Sequence, residues 1–367
     1  MTAKPDQTKK PAVSVLVPIY NVEQYLEKCL ESLKNQTFQD AEFLCINDGS
    51  TDGSKAIIER FIATDPRFKL IDKPNSGYGA SMNRGLKEAA GDYIAILESD
   101  DFMVPNALAE LYATAIAQEA DVVKANFYFY WSQPAERSER FEVVPAGLAG
   151  KVVQPQGVAD IFYAKPSIWS AMYSRAFLAE KGIDFLETPG ASFQDLSFTF
   201  KVYAEAERAA FIDTPIVHYR QDNENSSVNS PGKVEAVFVE YDEISAWLKK
   251  HPNPELETIK TKMLYDAVIW NYERVAPEYK TEVLSRAADV FEREQADGHI
   301  DVRLFEPWKL AGLRTILLDP EEYHKQRLTE ASPKAKLTRV LHERGPVGAA
   351  TLVARKVVKA IAKKLGR

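Results

Sequence analysis

At 367 residues the chain is longer than a single hydrophobic core usually serves, and its 45% hydrophobic and 27% charged content is ordinary for a globular protein. A net charge of −7 excludes a protein-wide electrostatic footprint for nucleic acid, and no stretch reaches the roughly 20 apolar residues that span a bilayer. Cys29 and Cys45 lack metal-ligand spacing and read as buried thiols in a reducing compartment; with a polar, Lys-bearing N-terminus and no apolar run behind it, a cytoplasmic location is expected.

Val13-Ser14-Val15-Leu16-Val17-Pro18 is a β-branched apolar run that predicts a buried first strand. Leu26, Leu30 and Leu33 then recur at helical spacing. Phe43-Leu44-Cys45-Ile46 predicts a second strand, closed by the polar turn Asn47-Asp48-Gly49-Ser50-Thr51-Asp52 and a helix through Ile57, Ile58, Phe61 and Ile62. A third strand is predicted at Phe68-Lys69-Leu70-Ile71, with a Gly-rich loop and a helix behind it. A fourth follows at Tyr93-Ile94-Ala95-Ile96-Leu97, running into Glu98-Ser99-Asp100-Asp101. Strand and helix alternating at this spacing predict a parallel, doubly wound, Rossmann-like α/β sheet, whose ligands bind off the carboxyl ends of the strands. The polar clusters all fall at those ends.

From 122 to 220 the pattern is mixed, with the aromatic run Phe127-Tyr128-Phe129-Tyr130-Trp131. From 232 to 324 it is mainly helical: Val237, Tyr241, Ile244 and Leu248 share one face, and Leu264, Ala267, Val268 and Tyr272 another. A turn-rich stretch at 225–235 marks the boundary. The expected organisation is an N-terminal tail (1–11), an α/β domain (12–228), a mainly helical region (229–332) and a basic amphipathic tail (333–367).

The chemistry-bearing residues lie on these strand ends. Asp48, between a strand and a helix, suits hydrogen bonding to a base or ribose; for a lone Asn-Asp-Gly-Ser turn an N-cap or Asx-turn role is the favoured reading. Glu98-Ser99-Asp100-Asp101 sets three acids in four positions, which repel unless a cation or hydrogen bonds compensate them. Their hard oxygens suit Mg²⁺ or Mn²⁺ bridging to a diphosphate. Asp195, in Ser192-Phe193-Gln194-Asp195, is a third element. In His218-Tyr219-Arg220, His218 is a candidate metal ligand and Arg220 a candidate pyrophosphate clamp, against a reading as satisfied strand-end side chains. Trp169 is a candidate for stacking on an acceptor sugar, against core packing.

Val17-Pro18-Ile19-Tyr20-Asn21, Asn47 to Asp52, Asn75-Ser76-Gly77-Tyr78-Gly79 and Glu98 to Asp101 together resemble, in order and spacing, the family 2 glycosyltransferases of the GT-A fold, over residues 12 to 220. The resemblance implies that Pro18, Tyr20 and Asp48 hold the nucleobase, usually uracil, and that Asn75 lies near the nucleotide. It implies that the Asp-x-Asp-Asp-like segment, Glu98, Ser99, Asp100 and Asp101, holds ribose and metal. Asn21, Gly77 and Asn83 join the nucleotide-sugar residues as members of the matching motifs. It also implies a catalytic base at Asp195, with Gln194 beside it near the acceptor. Three positions depart from the family pattern: Glu98 replaces the first Asp, Met82 precedes Asn83 where Arg is usual, and Gln194 replaces Glu.

An inverting, metal-dependent transfer from a UDP-sugar is the expected function, with a glycan or lipid-linked glycan in a bacterial surface-polysaccharide pathway as acceptor. From Pro333 to Arg367 ten Lys and Arg face one acid, Glu343; Leu352, Val353, Val357, Ala360, Ile361 and Leu365 gather on one helical face. A basic amphipathic helix of this kind predicts peripheral contact with anionic lipid, against a solvated or partner-docking tail. The helical region is a candidate for homodimerisation. A dinucleotide-binding dehydrogenase is excluded, since Gly77-Tyr78-Gly79 lacks the third glycine in register. The rival reading is a non-catalytic sugar-nucleotide or glycan-binding protein with a degenerate site.

Overall fold

A computed structural model describes residues 10–223 and 234–331. The basic tail, most of the N-terminal tail and most of the turn-rich stretch at 225–235 lie outside the described residues. The chain divides into two compact units, Met1–Leu264 and Tyr265–Arg367.

In the first unit β1 (Val13–Ile19), α1 (Glu23–Lys34), β2 (Ala41–Asp48), α2 (Ser54–Thr64), β3 (Phe68–Lys73), α3 (Tyr78–Glu88) and β4 (Tyr93–Ile96) alternate as expected. β1 pairs in parallel with β2 and β4, and β2 with β3. Every residue of β1 and β2 is buried. A strand so buried must be covered on both faces, as right-handed crossovers ensure: α1 and α2 fall on one face and α3, which runs back from β3 to β4, on the other. The chain reverses direction across the sheet between β1 and β4. There the strand ends part and leave a crevice.

The parallel pattern stops at β4, and the sheet as a whole is mixed. β5 (Phe102–Met103), α4 (Ala107–Ala117), β6 (Val122–Trp131), β7 (Arg137–Phe141), β8 (Val152–Val153), α5 (Ala159–Tyr163), β9 (Ala171–Ser174), α6 (Arg175–Glu180), α7 (Gln194–Glu205) and β10 (Ala209–Arg220) complete it. The strand order is β3-β2-β1-β4-β9-β6-β10-β5, with β7 on β6 and β8 on β10. β9 runs antiparallel to both β4 and β6, while β6 and β10 are parallel. Short strands such as β5 and β9 carry too few residues to show a period, so the sequence predicts only the parallel half.

β10 shifts register on either side of Pro215. Proline has no N–H for the ladder, and the resulting irregularity re-aims the strand end. Beyond it, His218 pairs with Phe102 of β5, so the end of β10 lies beside the acidic loop after β4. α8 (Ala236–Lys250) packs on α7 within the same unit. α9 (Pro254–Arg274) runs across the division; α10 (Lys280–Ala296), α11 (Pro307–Leu318) and α12 (Pro320–Ala331) pack on one another in the second unit. No helix among the described residues is long and apolar enough to cross a membrane.

Candidate active site

The crevice is built from the ends of β1, β2 and β4. Pro18 is buried at the end of β1, whereas Tyr20, just beyond it, is 51% exposed. Asn21 takes a positive φ of 51°, which asparagine tolerates, and its Oδ1 accepts from the backbone N–H of Thr51 at 2.8 Å. The turn after β2 is closed by Asn47, whose Oδ1 accepts from Ser50 N at 3.2 Å. That leaves Asp48 free for a different task. Its carboxylate, nearly buried, accepts from the N–H groups of Ser76 at 2.9 Å and Gly77 at 3.0 Å and pairs with Lys73. Asp48 thus ties the Gly-rich loop to the sheet. Gly77 is required there: its φ is 92°, and a Cβ would meet Thr188 O at 2.8 Å. Asn75 is exposed on that loop.

The acidic loop after β4 is held from three sides. Tyr78 donates its hydroxyl to Glu98 Oε1 at 2.6 Å, Asn223 Nδ2 donates to Asp100 Oδ2 at 2.8 Å, and Arg220 N donates to Asp101 Oδ1 at 2.8 Å. Ser99 is buried among them. Desolvation raises all three acids: Glu98 to about 8, Asp100 above the usual carboxylate range, and Asp101 well above it, with Asp100 adding like-charge repulsion. Asp101 Oδ2 is buried without a hydrogen-bond partner. Carboxylate oxygens are the hard donors that Mg²⁺ and Mn²⁺ take, and Asp101 Oδ2 is available to one; the carboxyls of Glu98, Asp100 and Asp101 do not by themselves bring three ligand atoms within 4.8 Å of one another.

Asp195 sits in the first turn of α7, after Phe193 in a left-handed conformation at φ 62°. Burial pushes its carboxyl up to about 6, and Lys165 and Lys124 draw it back. Lys124, in β6, is 3% exposed; its ammonium donates to Ser167 O at 2.5 Å and Ser167 Oγ at 2.8 Å, and burial pulls it down to about 7. Behind Asp195, Glu240 of α8 accepts from Ser197 N at 3.3 Å, keeps a buried Oε1 without a partner, and is raised by burial to about 7. Neither Lys124 nor Glu240 was anticipated from the sequence. The available signals were a lone lysine inside an apolar strand and an acid on the apolar face of α8.

Five expectations are corrected in detail. Asn83 does not face a nucleotide: its Nδ2 donates to Phe185 O at 2.9 Å and Glu187 Oε1 at 3.0 Å, and its Oδ1 accepts from Phe185 N at 2.9 Å. Trp169 has no face for a sugar, since it is buried, stacked on Tyr219 at 4.6 Å and met edgewise by Phe127 at 4.5 Å. The His218 ring is stacked on Phe102 and Tyr128 with centroids 4.5 and 4.8 Å away, and its Nδ1 lies 3.0 Å from Ser138 Oγ. Burial lowers it to about 4, and His218, Asp100 and Asp101 do not bring three ligand atoms within 4.8 Å of one another. The Arg220 guanidinium, rather than standing free for phosphate, donates to Asp100 O at 3.0 Å and to Ser132 Oγ and Asp222 Oδ1 at 3.2 Å. Gln194 is buried and bonds Thr188 Oγ1 at 2.8 Å, so it fastens the 188–192 loop rather than an acceptor. Asn83, Trp169, His218 and Arg220 all meet partners remote in sequence, which local pattern does not reveal.

The Glycosyl transferase family 2 profile matches residues 14–163. GlyG, a glycosyltransferase of Streptococcus pneumoniae, is 31% identical over 217 residues, covering 57% of this chain and 70% of GlyG. EpsH of Bacillus subtilis is 34% identical over 216 residues, 57% of this chain and 61% of EpsH, so the match spans less than two thirds of that relative. Among solved structures, TarS 1-349 of S. aureus in complex with UDP-GlcNAc has a TM-score of 0.63 at 22% identity, covering 85% of this chain and 89% of TarS 1-349, which shows a shared GT-A fold. With the parallel half-sheet, the acidic loop at its switch point and these relatives together, the chain belongs to glycosyltransferase family 2.

Proposed function

We propose that this chain moves a sugar from a UDP-sugar to a hydroxyl of a glycan or lipid-linked glycan with inversion at the anomeric carbon, Asp195 acting as general base. The observation that carries the reading is Asp195 itself: a part-buried carboxyl at a helix start, raised to about 6, flanked by Lys124 and Lys165. A base in that range is ionised at neutral pH yet basic enough to take a hydroxyl proton as the oxygen attacks the anomeric carbon. The donor reading draws on TarS, solved with UDP-GlcNAc.

Pro18, Tyr20 and Asp48 would line the nucleobase site, with Asn21, Asn75 and Gly77 shaping its wall. Tyr20 has the exposed ring that stacking needs. Glu98 and Ser99 would face the ribose. Asp100 and Asp101 would hold Mn²⁺ or Mg²⁺, which when bound neutralises charge developing on the departing diphosphate. The protein's own part is to orient: Arg220 and Asn223 fix the acidic loop, and Asp48 fixes the Gly-rich loop. Residues 12–228 would form the catalytic domain and 229–332 a helical region, with the basic tail meeting the inner face of the membrane.

The test is a panel of UDP-sugars, then GDP- and dTDP-sugars, with Mn²⁺ or Mg²⁺, following nucleotide release with and without EDTA. EDTA-sensitive release from one donor is expected. Binding of a donor without release across the panel, with acceptor glycans added, would make the chain a non-catalytic sugar-nucleotide binder instead.

A further inference from the structure

The second compact unit carries a feature that glycosyl transfer in the first unit leaves unexplained. Tyr265, Asp266, Ile269, Trp270 and Glu273 form one face of α9, and Trp308 and Lys309 open α11. With Tyr323 and Arg327 of α12 they line a half-open cavity of about 280 Å³. Trp270 is 41% exposed and Trp308 66%. Leaving two indoles in water forgoes much of the free energy their burial would release, so an exposed pair around one cavity points to a ligand.

The chemistry of the walls narrows what that ligand is. Lys309 pairs with Asp266 at 2.9 Å and with Glu306 at 3.0 Å, and Arg327 pairs with Glu273. Each cation is already matched by an acid, so the cavity has no surplus charge to select an anion such as a nucleotide or phosphate. Below it, Tyr265 and Tyr323 are buried and joined through their hydroxyls, and the Arg274 guanidinium lies 3.9 Å over the Trp270 ring. Aromatic faces beside fixed polar groups suit a pyranose, which offers C–H groups on its ring faces and hydroxyls around its edge.

We infer that the cavity among Trp270, Trp308, Asp266, Glu273, Lys309 and Arg327 binds a neutral oligosaccharide, a stretch of the glycan acceptor. This rests on the reading of a glycan acceptor made above. The full-length protein, without donor, is titrated calorimetrically with maltotetraose, cellotetraose and chitotetraose. Saturable binding of at least one is expected, weakened about tenfold by Trp308→Ala, with unchanged melting because this side chain is mostly exposed.

No saturable binding of any of the three, or equal binding by wild type and Trp308→Ala, overturns the inference. So does a variant that loses only an oligomeric state in sedimentation, which would make the indoles a contact between copies. Donor hydrolysis run in parallel separates the two readings. Hydrolysis without saccharide binding sinks this inference alone; saccharide binding without hydrolysis of any donor, acceptor present, sinks the transferase reading and leaves the site standing.

Discussion

Asp195 owes its place in the chemistry to burial, which raises its carboxyl to about 6 against a usual value near 3.9. Transfer should therefore fall as pH drops through about 6, because a protonated carboxyl accepts nothing. Asp195→Asn should reduce turnover by at least about a hundredfold while leaving the Kd for the nucleotide unchanged, read by calorimetry. Near-normal turnover would remove Asp195 from the mechanism. The same shift affects folding. The folded chain binds the proton more tightly than the unfolded one, so this group's contribution is fully present below about pH 4 and lost as pH rises through 6. Lys124→Met preserves much of the buried volume but deletes one of the charges that holds Asp195 down. The midpoint of the pH–rate profile should move upward, by about one unit or less. An unmoved midpoint would leave Lys124 as packing alone.

The start of α3 is seated against the 186–190 segment by two glycines. A Cβ on Gly79 would stand 2.1 Å from Leu186 O and 2.9 Å from its carbonyl carbon, both backbone atoms that cannot swing aside. Gly79→Ala should therefore lower stability by about 1–3 kcal/mol in urea denaturation, despite alanine's better helix propensity. The same displacement would disturb Tyr78, whose hydroxyl holds Glu98, so donor affinity should weaken with it. Stability equal to wild type would mean the loop yields freely. β10 makes the converse case. Pro215 breaks its ladder, yet the strand continues as far as Arg220 and delivers the backbone N–H that Asp101 accepts. An internal proline in a strand-like run argues against a regular strand, and the irregularity is what brings residues 218–220 to the acidic loop.

The C-terminal 35 residues, strongly basic in a chain of net charge −7, pose a question for the protein as a unit. If they meet anionic lipid, co-sedimentation with phosphatidylglycerol vesicles should fall sharply when the chain is cut before Pro333, and added salt should weaken it. Equal pelleting of both forms would end the membrane reading.

The parallel half of the sheet and the acids at its switch point were legible beforehand, because a fully buried strand needs a continuous apolar run and a following helix announces its own period. Cys29 and Cys45 are buried free thiols, as their lack of metal-ligand spacing predicts. The partnerships were not legible. Asp48 reaches across 28 residues to Ser76, Arg220 across 119 to Asp101, and Glu240 reaches Ser197 from a separate helix. Hydrogen-bond partners and desolvation depend on which segments the packed chain sets side by side. Periodicity reports only which face of its own element a residue occupies. Hence the chain order of motifs announced the family, while the tertiary structure decided that His218 and Trp169 serve the packing and that Lys124 and Glu240 stand around Asp195.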